Sequence, residues 1–475
     1  MTSLTSELAA RAAGLSLDGL PPEVRHWACR AIADTVACAI AGAGQEVVRH
    51  VQSVLPMAPG AAALIGQNGR AHVLDAAQLN GIAAHALDFD DCNLEMDGHP
   101  SVSIVPALIA LADHLDCTGA EVLCAYVAGV EAEIRIARLS NPAHTDRGWH
   151  PTVTFGVIGA AIACARLLRL APAQMAVAIG IAASTAAGLR ANSGTMTKPL
   201  HAGQANRNGL QAALLAQAGV TANPTALEHK FGFMAAFNGA IPADIGPALD
   251  GWGQDFALLR PGIAIKQYPC CAFIHCAIDA AAALRPQIAG ATIAAVEVAL
   301  HARRLRNIDR PEPRDGLDAK FSTQYLTARA LLSGTVGFAD FEPLRLSDAP
   351  TLALSAKVRL TAHDECDLSL GEIRVTLADG SQLSARASVA MGRGPANPMT
   401  TAEVQAKFDD CIGTHLPPAQ GAKLLARMSA LAEEPSMRAL SALMQPAPID
   451  RPEIPPHAAP TASNDQAAYA APNER

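Results

Sequence analysis

Through residues 4–262 apolar positions recur at three- and four-residue spacing, which predicts helix after helix with short breaks. Pro21-Pro22, Gly42-Ala43-Gly44, Asn141-Pro142 and Asn223-Pro224 supply the punctuation. Residues 73–86 predict one such helix, and residues 101–114 another with Ser101 as its cap. The apolar runs 157–168 and 177–189 are too short to span a membrane and predict helices buried on all sides. After Lys266 the period changes to two. Val296, Val298 and Leu300 alternate with Glu297, Ala299 and His301, as in a half-buried strand. Ile373, Val375 and Leu377 alternate likewise, and Asp379-Gly380 then turns the chain into Leu383, a hairpin signal. Val358 and Leu360 predict a further short strand, and residues 325–332 a helix between the strands. Helical spacing returns over 402–444.

These elements predict a mainly α protein: a large all-helical domain over 1–265 and a smaller α+β lid domain over 266–394. A helical return to the first domain follows over 395–445. The tail 446–475, rich in Pro, Ala and small polar residues, has little to bury and is expected to be disordered. Length allows this division, since 475 residues can fill more than one core. Half the residues are hydrophobic but only 4% are aromatic, which favours closely packed alanine-rich helices over a β-sandwich.

A net charge of −8 argues against nucleic acid or an anionic membrane as partner, so an anionic substrate would need a local cluster of cations. Eleven cysteines without a CxxC pair are the usage of a reducing compartment, with thiols as small hydrophobes. No HExxH motif is present either, and neither metal nor cofactor is expected. The first twenty residues lack the charged and apolar regions of a signal peptide, so the expected location is cytoplasmic.

Four segments carry candidate chemistry. His85-Ala86-Leu87-Asp88-Phe89-Asp90-Asp91-Cys92, with Gly98-His99-Pro100-Ser101 after it, packs acid and imidazole into a break between two apolar helices. Such a loop is either an acidic turn before a capped helix or the wall of a pocket where protons move. Beside a helix N-terminus, His99 would stay neutral, as a base requires. Gly148-Trp149-His150-Pro151-Thr152 puts a second histidine at a helix start. The segment 194–203 holds Lys198 and His201 in a polar turn, and resembles a phosphate loop only superficially, because no glycine precedes the lysine and a proline follows it. Finally, Lys266-Gln267-Tyr268-Pro269-Cys270-Cys271 sits where the helical domain gives way to the α+β domain, either as a plain hinge or as part of a seam site. Asp88, His99, His150, Lys198 and Lys266 together suit proton abstraction beside a carboxylate, with lysines stabilising the enediolate.

The motifs HALDFDD…GHPS, GWHPT, GTMTKPLHAG and KQYPCC, in this order, resemble the MmgE/PrpD family over roughly residues 5–445. That family includes 2-methylcitrate dehydratases, cis-aconitate decarboxylases and an iminodisuccinate epimerase. The resemblance implies a helical domain with a smaller α+β lid, a homodimer, and chemistry without metal on a small di- or tricarboxylate. It places the family aspartate on Asp88, its histidines on His99 and His150, and its lysines on Lys198 and Lys266. Tyr325, in the segment Phe321-Ser322-Thr323-Gln324-Tyr325, is a further candidate. Cys92, His201 and Cys271 are expected to touch substrate. Two residues depart from the pattern: Cys92 stands where threonine is common, and Cys271 where the decarboxylase branch carries histidine. The leading expectation is therefore a hydro-lyase of the 2-methylcitrate dehydratase kind, in which His99, oriented by Asp88, is the base and His150 the acid or relay. Decarboxylation and epimerisation are the alternatives, and a non-catalytic carboxylate binder is the reading from another class.

Overall fold

Two hydrophobic cores organise the chain. In this computed structural model the described residues are 3–288, 290–365, 367–388, 392–413 and 415–446, so the expected disordered tail lies outside them from residue 447 on. The first core draws its buried side chains from Leu4 through Ile265 and again from Met399 through Met444. The second draws only on residues between Cys270 and Val375.

Small side chains let the helices of the first core approach closely. Val73–His85, Gly119–Ser140, Gly156–Leu167 and Thr197–Gln217 are buried along most of their length. After residue 400, Thr401–Ile412 and Met437–Ser441 return to pack on helices Pro22–Gly42 and Val105–Leu115. Among the described residues no single helix is long and apolar enough to cross a membrane. The pair Pro22–Gly42 and Glu46–Val54 has the length together, but bends by 78°.

The second core lies on a four-stranded sheet. Ile293–His301 runs parallel to Val358–His363 on one side and antiparallel to Gly371–Leu377 on the other, and Gln382–Ala387 closes the hairpin. The alternation read from the sequence is the register seen: Val296, Val298, Leu300, Ile373 and Val375 all face inward. Helices His275–Ile288 and Thr323–Ser333 cover that face.

Where the chain passes between the cores, three short segments are hydrogen-bonded side by side. Cys92 pairs with Ala264, and Ile265 with Arg393, both antiparallel. The outgoing and returning chains therefore cross the seam together.

Two local expectations are corrected. Ser101 does not cap its helix: it opens a 3-10 turn over Ser101–Ser103, and its backbone N–H and hydroxyl both go to the buried Asp91 carboxylate. A buried carboxylate needs those donors more than a helix end does. The run 177–189 is not one buried helix. Helix Pro172–Thr185 stops at Thr185, and the chain straightens so that Leu189 pairs with Trp149, with Gly188 at φ +130° and Leu189 half exposed.

Candidate active site

Helix Val73–His85 ends at the first motif, and the chain turns sharply through Asp88, whose φ of +54° lies in the left-handed region. Aspartate tolerates that conformation better than most residues, and here it aims the carboxylate into the seam. Lys266 Nζ donates to Asp88 Oδ1 at 2.6 Å and to the Asp88 carbonyl at 2.8 Å. Lys198, in the first turn of helix Thr197–Gln217, lies 2.9 Å from the same Oδ1. Asp88 Oδ2 is buried and has no partner. Burial alone would raise the Asp88 pKa, but the two ammonium groups outweigh it and hold the carboxyl well below its usual range. Burial works against the Lys266 charge in turn, and Asp88 overrides it, so this lysine stays protonated.

Asp90, wholly buried, serves the imidazoles. His85 Nδ1 lies 2.9 Å from both its oxygens, and His99 Nδ1 3.1 Å from Oδ2. An ionised acid can only accept, so both Nδ1 atoms carry hydrogen and His99 Nε2 is left as a lone pair. That Nε2 is 3.7 Å from Asp88 Oδ1. The expected pairing is thus corrected: His99 is oriented by Asp90, whereas Asp88 is taken up by lysines. Burial, only partly opposed by Asp90, keeps the His99 pKa below its usual value. His85 falls further, to about 4, again through burial.

His150 occupies the N-cap position of the short helix Pro151–Thr154, and its Nδ1 is 3.2 Å from His201 Nδ1. Burial and then Lys198 push His150 well below the normal imidazole range. Two neutral rings can share that hydrogen bond, one as donor and one as acceptor.

Part of this set opens on a cleft of about 60 Å³ along the seam, whereas Lys266, Asp90 and His85 are buried behind its wall. Asp88, Cys92, His99, His150 and Lys198 line it from the helical side. Cys271, Phe273, Asn307 and Phe321 line it from the sheet side. Burial raises the Cys92 and Cys271 thiols, so neither is poised as a nucleophile. His201 stands one residue back from the cleft, behind His150.

Tyr325 is not brought to the cleft. Its ring sits in the second core and its hydroxyl donates to the Asp340 carbonyl, on the buried face of helix Thr323–Ser333. Three participants escape the candidate set: Asp90, His85 and Lys320. Lys320 Nζ donates to the carbonyls of Leu87 at 2.9 Å and Pro269 at 2.7 Å, tying together the loops that carry Asp88 and Lys266. Burial lowers its pKa to about 8. Asp90 and His85 lie in the first of the four segments, and their five-residue separation at a helix end is the available signal. Nothing local marks Lys320.

His85, Asp88, Asp90 and His99 each place a ligand atom within 4.8 Å of the others, close enough to hold a metal ion. In the arrangement seen, those atoms are engaged with lysines and with one another. With Lys198 on the cleft wall and Lys266 buried behind it, they form a proton-handling and anion-binding set: two ammonium groups, one free carboxylate oxygen and neutral imidazoles.

The chain matches the MmgE/PrpD N-terminal domain over residues 6–245 and the MmgE/PrpD C-terminal domain over residues 268–431. It is 28% identical over 426 residues to the cis-aconitate decarboxylase of Mus musculus, covering 86% of each chain. It is equally 28% identical over 449 residues to the cis-aconitate decarboxylase of Aspergillus terreus, covering 87% of this chain and 90% of that one.

Proposed function

Because this chain belongs to the MmgE/PrpD family, we propose that its cleft takes a short unsaturated tricarboxylate of the cis-aconitate kind and removes CO₂ from it. The observation that carries this reading is the convergence of Lys198 and Lys266 on one buried carboxylate beside neutral His99 and His150. Dehydration, the first expectation from the sequence, moves to second place because curated relatives spanning nearly the whole chain are decarboxylases.

Decarboxylation breaks the bond to a carboxylate one carbon away from the alkene. The freed electron pair forms a new double bond, and the old π pair moves onto the carbon beside a second carboxylate, giving an enediolate. Lys198 faces that developing charge from the cleft wall, and Lys266, buried behind Asp88, neutralises that carboxylate, where low polarity strengthens both effects. A proton must then be delivered to carbon. A bound trianion raises the proton affinity of a neighbouring imidazole, so His99 takes up a proton as substrate arrives, Asp90 stabilises the imidazolium, and Nε2 donates. His150, backed by His201, is the alternative donor from the opposite wall. A hydro-lyase reading is favoured by one residue: Cys271 lines the cleft as a raised-pKa thiol where the decarboxylase branch carries an imidazole.

Proton NMR of the protein with cis-aconitate, citrate, 2-methylcitrate stereoisomers and iminodisuccinate in D₂O tests this. Loss of CO₂ from cis-aconitate, with one deuterium in the new methylene, is expected. An alkene from 2-methylcitrate or citrate alone would transfer the site to dehydration, and deuterium exchange without net loss to epimerisation. Silence across the panel would overturn the polycarboxylate reading.

A further inference from the structure

The charges lining the cleft do not all cancel. Asp88 is matched by Lys198 and Lys266. Asp97 is matched by Arg304 at 2.5 Å, whose guanidinium also lies 3.9 Å from the centre of the Phe273 ring. Arg190 is the remaining charge on the wall, and among the described residues no carboxylate lies within salt-bridge distance of it. Its side chain makes one hydrogen bond, from Nη1 to the Thr145 carbonyl at 3.2 Å. That leaves most of a five-donor fork available.

Arg190 is also held in a defined relation to His150. Trp149 and Leu189 pair antiparallel, the His150 N–H donates to the Gly188 carbonyl at 3.0 Å, and the Arg190 N–H donates to the Gly148 carbonyl at 2.9 Å. In such a ladder residues 150 and 190 project from one face as diagonal neighbours, about 7–8 Å apart at the backbone. Both side chains line the cleft. A ligand with one carboxylate at Lys198 and its reacting carbon near His150 would carry a second carboxylate two or three carbon bonds along the same wall. Guanidinium matches carboxylate as a planar, bidentate partner.

We infer that Arg190 is the specificity-determining residue of this cleft, binding a spectator carboxylate of the substrate and so selecting tricarboxylates over dicarboxylates. This inference rests on the polycarboxylate reading above. It explains why a chain of net charge −8 can hold a trianion: Lys198, Lys266 and Arg190 against the ionised Asp88 and Asp90 leave one positive charge, and among the described residues Arg190 is the cation on the wall without a carboxylate partner.

Titration calorimetry with propane-1,2,3-tricarboxylate and with glutarate, on the intact protein and on Arg190→Gln and Arg190→Lys, tests it. The wild type is expected to prefer the tricarboxylate. Arg190→Gln should lose at least tenfold in tricarboxylate affinity while changing glutarate affinity less than threefold. Arg190→Lys should recover part of the preference, having the charge without the fork. Equal loss for both ligands, or an unchanged preference in Arg190→Gln, overturns the role of Arg190 and leaves the polycarboxylate reading standing. A wild-type protein that binds neither ligand overturns both.

Discussion

Two neighbouring aspartates do different work because of what reaches them. Asp88 meets ammonium groups and Asp90 meets imidazoles, although only one residue separates them. In Asp90→Asn, one carboxylate oxygen becomes an NH₂ that can only donate, so one of the two imidazoles must present a bare Nδ1 and carry its proton on Nε2. Turnover should fall by roughly 100-fold or more, as when a histidine is held in the wrong tautomer, with KM nearly unchanged and a shifted pH profile. Steady-state kinetics between pH 5.5 and 8.5 check this; a rise in KM at constant kcat would mean that Asp90 only shapes the cleft. The motif residues were legible because the acids, imidazoles and lysines stand out against apolar flanks. Which acid serves which histidine was not, because His85 and His99 meet Asp90 only after the helix end folds back. Tyr325 shows the converse: a suggestive local string, placed by its helix face in the core.

At the scale of elements, the site depends on how closely two helices approach. Val73–His85 delivers His85 and the Asp88 loop, and Thr197–Gln217 delivers Lys198 and His201. Gly203 lies at their contact. A Cβ there would sit 2.6 Å from the Gln78 carbonyl oxygen and 2.4 Å from Ile82 Cγ1, both on the facing helix. Gly203→Ala should therefore lower stability by about 1–3 kcal/mol, the usual cost of overpacking. It should also reduce kcat/KM, because the helices separate just below Lys198 and Asp88. Denaturant unfolding and kinetics on the same preparation check both effects, and an unchanged midpoint would show that the helices yield without strain. The helical periods and the strand alternation were legible, since each reflects a single buried face. The Trp149–Leu189 pairing was not, because the apolar run before it reads as helix until a distant segment claims its last residues.

The whole molecule carries several neutral, buried imidazoles and several buried carboxyls, and their opposed titrations set its response to acid. Burial takes His85 and His144 to about 4 and His275 to about 3. The unfolded chain protonates these groups near the ordinary imidazole value of 6.5, so from there down to about 4 it binds more protons than the folded one. The imidazoles therefore cost stability as pH drops through that window, whereas burial raises Asp91 to about 8 and Glu133 well above its usual range, so these carboxyls hold protons in the folded state and work in the opposite direction. Thermal unfolding at pH 7 and pH 5 isolates one ring: lowering the pH should cost the wild type more of its midpoint than it costs His144→Asn, and equal shifts would mean that this ring is already charged in the folded state. The two-core layout was foreshadowed by the change of period after Lys266, but the pairing that ties the crossings together was not, since Ile265 and Arg393 are far apart in sequence. That pairing has a consequence for engineering. The segment between them begins and ends at hydrogen-bonded neighbours, so it can be exchanged as a cassette between relatives without a spliced linker. Such a cassette would bring Lys266, Cys271, Phe273, Asn307 and Phe321 with it, and leave Asp88, Asp90, His99, His150, Arg190 and Lys198 behind. Recombining the two parts would vary one wall of the cleft while the proton-transfer groups stay fixed.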